Sequence, residues 1–342
     1  MRLALVMCHW DRSMAGAIRE LNFSKYLGEF GVEVEVFRMF RGEQVEEERY
    51  LGDRIRTRFC PPDAENPVPH RLVSTALAEG VAAFKPDVIV FKGLSYDISS
   101  FVHERLPQVP FGFIIGGSVR DKILESAKFV FGEYKEQLRS FFPSFVEQGR
   151  AFILPKYIDP ELVKKERPSK PDYDIVNVGN FHEKRKNQVD LLPFSADYKI
   201  ALVGGEKMPA EWSELIAKPE NIHVLGRLNK DGVADALLRS RIMVHTSTMD
   251  GLPRSMIEAL AAGTPAIAYR STVWGGIEEG EHGFLVDRHT LPHAIGLLLG
   301  DERLRKKMSR KARAYAEKHH GLQGLRRTAK QFALDLKDKL IG

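Results

Sequence analysis

Two carboxylates, Asp250 and Glu258, bracket a loop that runs into a helix of small residues in the stretch STMDGLPRSMIEALAAGTPAIAY, residues 247–269. The preceding RIMVH is apolar enough to be a strand, which leaves Asp250 and Gly251 on the loop beyond its carboxyl end. Pro253 suits the first helical turn, where its missing N–H costs nothing, and Gly263 and Pro265 end the helix. Ile257, Leu260 and Ala261 recur at helical spacing and should face the core. Glu258, about a turn in, leans back toward the helix start. The backbone N–H groups of Leu252 to Ser255 are then unmatched donors beside a positive dipole end, a place for an anionic or hydroxyl-rich ligand. The plainer reading has Asp250 capping the helix and Glu258 favouring its first turns, each worth about 0.3 to 1 kcal/mol.

Such a loop needs a rigid scaffold. A chain of 342 residues suggests two domains of roughly 150 residues each. Residues 1–156 alternate short apolar runs (RLALVM, VEVEVF, PDVIVF, PFGFII, KFVF, AFILP) with amphipathic stretches, the pattern of βαβ units. Residues 157–173, YIDPELVKKERPSKPDY, are polar and carry three prolines, as an interdomain linker does. The alternation resumes over residues 174–320 with DIVNVG, YKIALVGG, NIHVLG, RIMVHT, PAIAY and GFLV. Both halves are therefore expected to be open α/β sheets, and ligands bind such sheets beyond the carboxyl ends of their strands. In the second half the loops GNFHEKRKN, GGE, GRLNKDG and STMDGLPRS each follow a strand, so four loops converge on one rim.

Composition is that of an ordered globular protein, 43% apolar and 28% charged. The N-terminal MRLALVMCHWDR meets charge too soon for a signal sequence or a membrane span and reads as a first strand. Cys8 and Cys60, without CxxC spacing, indicate neither a disulfide framework nor a cysteine metal site, and a cytoplasmic setting is expected. The net charge of +5 gathers in the C-terminal stretch DERLRKKMSRKARAYAEKHHGLQGLRRTAK. That surface suits solvated helices and also peripheral contact with an anionic membrane. It lacks the interleaved aromatics and module signatures of a nucleic-acid binder.

Asp250 and Glu258, seven residues apart and followed by ALAAGTPAIA, resemble the EGFGxxxxEAxAxGxPVIA signature of glycosyltransferase family 4, the large retaining GT-B family. VGNFHEKRKN is similar to that family's VGRxxxxKG loop, ALVGG to its second-strand glycines, and GGIEEGEHGFLV to its GGxxEIVxxGxNGxLV ending. The matches cover roughly residues 174–320, whereas the first half is similar only in architecture. The resemblance implies a GT-B fold of two Rossmann-like domains facing across a cleft, the first binding acceptor and the second binding a nucleotide sugar. It also implies that residues 321–342 form a helix crossing back to the first domain.

The implied activity is transfer of a sugar, with retention, from a nucleotide-diphosphate sugar of UDP or GDP type to a hydroxyl acceptor: a glycan, a lipid-linked compound or a small molecule. No cofactor or metal is required in that scheme. The resemblance gives Glu258 the donor's ribose hydroxyls, Asp250 the transferred sugar and Lys186 the diphosphate. A cation about 4 Å from a phosphate oxygen is worth roughly 4 kcal/mol at an effective dielectric near 20. Around these three, the implied donor site takes Gly179, Asn180 and Arg185 from the first loop, Gly205 from the second and Arg227 from the third. Gly251, Leu252, Pro253, Arg254 and Ser255 come from the fourth, and Gly16 stands where the family has a glycine-rich turn.

Two positions depart from the pattern. Asn180 replaces the family's Arg, which leaves Arg185 or Arg254 to supply the charge, and Asp250 replaces the commoner Glu. On the acceptor side, where many members carry a His, this chain has IIGGSVRD with Gly116, Gly117 and Ser118; His9, Lys92, Tyr96 and Asp97 are the other polar residues at first-half strand ends. A catalytically idle sugar-nucleotide-binding protein and a GT-B sugar-nucleotide epimerase are the alternatives. DYD at 172–174 spells a metal-binding DxD but leads into a strand, and HExxH, Walker A and GxGxxG patterns are absent.

Overall fold

The computed structural model describes residues 1–9, 18–66, 68–116, 121–270 and 275–340. Gly16, Gly117 and Ser118 lie outside them. The chain divides into two compact units, Met1–Tyr157 with Leu322–Gly342, and Ile158–Gly321.

The first unit holds eight strands: β1 Arg2–Met7, β2 Glu33–Met39, β3 Glu46–Tyr50, β4 Ile55–Cys60, β5 Val88–Lys92, β6 Phe111–Ile114, β7 Phe129–Gly132 and β8 Ala151–Ile153. They lie in the order β3-β4-β2-β1-β5-β6-β7-β8, parallel except for β3, which runs antiparallel to β4. The apolar runs predict six of these strands. β3 and β4 escape that reading because they are not apolar runs: EEERY is four charged residues before a tyrosine, and IRTRFC breaks its apolar residues with polar ones. Parallel neighbours need crossovers, and helices such as Ile18–Glu29 and Thr75–Phe84 supply them. The helix Leu322–Asp335 returns to this unit and sets Phe332, fully buried, among the rings of Phe23, Phe129, Phe131 and Phe152.

The second unit holds β9 Tyr173–Val178, β10 Ile200–Val203, β11 Ile222–Gly226, β12 Ser240–His245, β13 Ala266–Tyr269 and β14 Gly283–Val286. All are parallel, in the order β11-β10-β9-β12-β13-β14. The chain leaves β9 toward one edge and resumes at β12 toward the other, so the topological switch point lies between the carboxyl ends of β9 and β12.

The stretch read as a linker is instead built into this unit. Asp159 caps a short helix, Pro160–Lys164, through Glu161 N, and Pro160 takes the first-turn position it favours. Arg167 then reaches Thr264 Oγ1 and Ser240 O, and burial pushes its guanidinium down to about 10. The prolines marked a helix start as well as a connection.

Candidate active site in the second unit

β9 and β12 pair as far as Val176 and Met243 and then separate. Buried Asn177 ties the gap, its amide donating to Val244 O at 2.7 Å and approaching Thr246 Oγ1 at 3.4 Å. The two loops beyond this gap are clamped together. Arg185 O accepts from Thr248 N at 2.7 Å and Ser247 Oγ at 3.0 Å, and Lys186 O accepts from Thr246 Oγ1 at 3.0 Å. Lys186 ends a 3₁₀ turn, Lys184–Lys186, and Asn187 reverses the chain in the left-handed region at φ 50°.

Asp190 fixes that reversal. Its carboxylate accepts from Asn187 Nδ2 at 2.6 Å, Tyr269 Oη at 2.5 Å, Arg288 Nε at 3.0 Å and Arg288 Nη2 at 2.8 Å. Tyr269 ends β13 and Arg288 follows β14, so one carboxylate ties the β9 loop to the tips of two further strands. Two glycines make room beneath. A Cβ on Gly179 would meet Gln188 Nε2 at 2.9 Å and the Lys186 stem at 3.2 Å. Gly204, at φ 136°, passes so close to Gly179 O that a Cβ there would stand 2.0 Å away.

The result is a convergence on Asp250. Lys186 Nζ lies 2.6 Å from Asp250 Oδ2, Arg185 Nη1 3.4 Å and His245 Nε2 3.2 Å. The His245 approach is not aligned as a hydrogen bond, whereas the Lys186 one is. Burial would raise the Asp250 carboxyl, but His245 and Lys186 hold it well below the carboxylate range. Burial lowers His245 below its ordinary 6.5, a shift that Asp250 partly offsets, so the imidazole is neutral near pH 7. Among the described residues, every contact to the Asp250 carboxylate is made at Oδ2.

Asp250 therefore does not cap the helix that follows. That helix runs Arg254–Ala261 with Pro253 just outside it and no side-chain cap. Pro253 takes the capping position instead of the first turn because its ψ of 134° is extended. Gly251 is half-buried, Leu252 and Pro253 are buried, Ser255 is half-buried and Arg254 is exposed. Glu258 is half-buried in the second turn, above the buried Ile257, Leu260 and Ala261.

Asn180 turns inward on its own loop, its Oδ1 accepting from His182 N at 3.1 Å. The cation nearest Asp250 after Lys186 is Arg185, which also pairs with Glu183 and donates to Met249 O at 3.0 Å. Gly205 is buried beneath Phe181, and exposed Arg227 donates its N–H to Glu206 Oε1 at 3.3 Å. His245, Asn177 and Asp190 are the site residues that sequence reading passed over; a polar residue ending an apolar strand, as His245 does, was the available signal. The DxD carboxylates are engaged elsewhere, Asp172 with Arg239 and Asp174 with Arg241 at 3.2 Å. Among the described residues no group of three or more His, Cys, Asp or Glu is placed to hold a metal ion, and no helix is long and apolar enough to cross a membrane.

Residues 159–315 match the family model described as glycosyl transferases group 1. An uncharacterized glycosyltransferase of Methanocaldococcus jannaschii is 25% identical over 208 residues, 58% of this chain and 55% of that protein. N-acetyl-alpha-D-glucosaminyl L-malate synthase of Bacillus anthracis is 27% identical over 169 residues, 45% of this chain and 43% of that protein. The chain thus spans about half the length of these curated relatives. Sucrose-phosphate synthase from Thermosynechococcus elongatus superposes with a TM-score of 0.72 at 17% identity, covering 98% of this chain and 99% of that one. Anabaena HepE in complex with UDP and glucose gives 0.70 at 14% identity, covering 98% and 99%. The fold is GT-B.

Proposed function

We propose that this chain, whose residues 159–315 match the group 1 glycosyl transferases, moves a sugar from a nucleotide-diphosphate sugar to a hydroxyl acceptor, with retention and without a metal. The observation that carries the reading is the Lys186–Asp250 pair at the switch point between β9 and β12, where open α/β sheets take their ligands. The UDP and glucose in Anabaena HepE make UDP the first base to test.

Lys186 serves the diphosphate, whose charge grows as the bond from the anomeric carbon to the phosphate oxygen breaks. Asp250 stays ionised throughout and, with its contacts gathered at Oδ2, offers Oδ1 to hydroxyls of the sugar. Neutral His245 adds no charge that would compete with Lys186 for Asp250. The amides of Leu252, Arg254 and Ser255, at the start of their helix, supply further donors, and Glu258 takes the ribose hydroxyls. In a same-face substitution the acceptor oxygen bonds to the anomeric carbon as the phosphate oxygen leaves. The acceptor proton passes to that departing oxygen, which completes the nucleoside diphosphate.

The test is release of nucleoside diphosphate from UDP-glucose, GDP-mannose and ADP-glucose in EDTA, over a panel of hydroxyl acceptors, with the anomeric configuration of the product read by proton NMR. Acceptor-dependent release from one donor, lost in Glu258→Ala, is expected. Isomerised donor without an acceptor would make the chain an epimerase, and tight binding without turnover would make it a binding protein.

A further inference from the structure

The first unit has its own switch point, between β1 and β5, and a charged cluster sits there. Glu20, 1% exposed, lends one oxygen to three donors: Arg19 Nε at 2.9 Å, Arg19 Nη2 at 2.7 Å and Lys92 Nζ at 3.3 Å. Arg19 also reaches Glu133 Oε1 at 3.3 Å, whose other oxygen lies 3.2 Å from Lys156 Nζ. Two carboxylates thus serve three cations among the described residues.

Lys92 is the least well served of the three. Its carboxylate oxygen, 3.3 Å away, already takes two bonds from Arg19, and 19% of the Lys92 side-chain surface stays exposed. A largely buried ammonium that shares its one carboxylate oxygen with an arginine gains from a further anion.

Two hydrogen-bonding side chains follow the same strands, and the first of them, His9, feels the Lys92 charge. Tyr96 Oη lies 2.5 Å from His9 Nδ1, with the rings edge to face at 4.7 Å. Burial, then Lys92 and Arg38, push His9 below its ordinary 6.5. Where Tyr96 donates to Nδ1 of a neutral ring, Nε2 carries the proton and is a donor; in the other tautomer Nδ1 donates to Tyr96 Oη. A separate cavity of about 720 Å³, lined by Arg41, Glu43, Asn66 and Leu72, opens beyond the tips of β2 and β4.

We propose that this rim is a subsite for an anionic group, a carboxylate or phosphate borne by the hydroxyl acceptor, with Lys92 as its charge partner and His9 and Tyr96 as flanking hydrogen-bonding groups. Calling the ligand an acceptor rests on the transferase reading; the anion site does not.

The experiment is calorimetric titration of the full chain with L-malate and with glycerol 3-phosphate, using glycerol as the uncharged control. A Lys186→Met background silences the second unit's cation. Saturable binding of at least one anion, none of glycerol, and weakening by about tenfold or more in Lys92→Met are expected. Tighter malate binding assigns a carboxylate, and tighter glycerol 3-phosphate binding a phosphate. Binding of neither anion, or anion binding untouched by Lys92→Met, overturns the proposal. Should Lys92→Met fail to fold, anion-dependent shifts of the His9 ring protons decide: their absence overturns it as well. Failure of UDP to bind would remove the transferase reading and leave this result standing.

Discussion

Lys186 Nζ and Asp250 Oδ2 stand 2.6 Å apart although 64 residues separate them in the chain. The contact exists because β9 and β12 are neighbours at the switch point, and because Thr246, Ser247 and Thr248 bind the carbonyls of Arg185 and Lys186. If that pair is the catalytic centre, Lys186→Met should lower kcat for sugar transfer by about a hundredfold or more, the usual cost of losing one charge-stabilising donor. Steady-state kinetics check this; a change confined to KM would move Lys186 out of the transition state.

Asp190 touches neither Lys186 Nζ nor Asp250, yet its four bonds brace Asn187, Tyr269 and Arg288. Asp190→Ala should destabilise the second unit by about 2 kcal/mol, since hydrogen bonds to a charged group are lost and the donors are stranded. Denaturant unfolding measures that. Turnover should fall with it, because the reversal at Asn187 that aims Lys186 loses its brace.

Gly204→Ala should cost well over about 1 kcal/mol, because alanine resists φ 136° and its methyl would meet Gly179 O. A melting temperature equal to wild type would show that the β9 and β10 loops are not in this contact.

Acid should weaken the fold in two steps. His245 has a lowered value in the folded chain, so below 6.5 the unfolded chain binds the proton first and stability falls with pH. Asp250 is held below its ordinary 3.8, so stability that its ionised form provides is present above 3.8 and is lost as pH falls toward its folded value. His9 and His282 are lowered too and share the sign of the first step. His245→Asn should therefore flatten, without abolishing, the slope just below pH 6.5; an unchanged slope would contradict a buried neutral His245.

Most of the fold was legible because parallel strands buried on both faces read as apolar runs between helical stretches. β3 and β4 were not, since EEERY and IRTRFC put charge on the accessible positions of their sheet. In the site, Asp250 and Lys186 stood out through ordered motifs around them. His245, Asn177 and Asp190 did not: Asp190 acquires meaning only from Arg288, 98 residues away, and Asn177 only from a gap that forms when two distant strands diverge. The prolines of residues 157–173 signalled interruption equally well for a linker and for a capped helix, and local sequence does not decide between them.

Everything proposed for the second unit depends on the β9–β12 rim binding a nucleotide-diphosphate sugar through Lys186. Calorimetry of UDP, GDP and ADP binding to the full chain in EDTA, repeated with Lys186→Met, tests it most directly. Selective binding of one nucleotide, weakened about tenfold or more in the variant, is expected. Binding of none of the three, or equal affinity in both proteins, would contradict it.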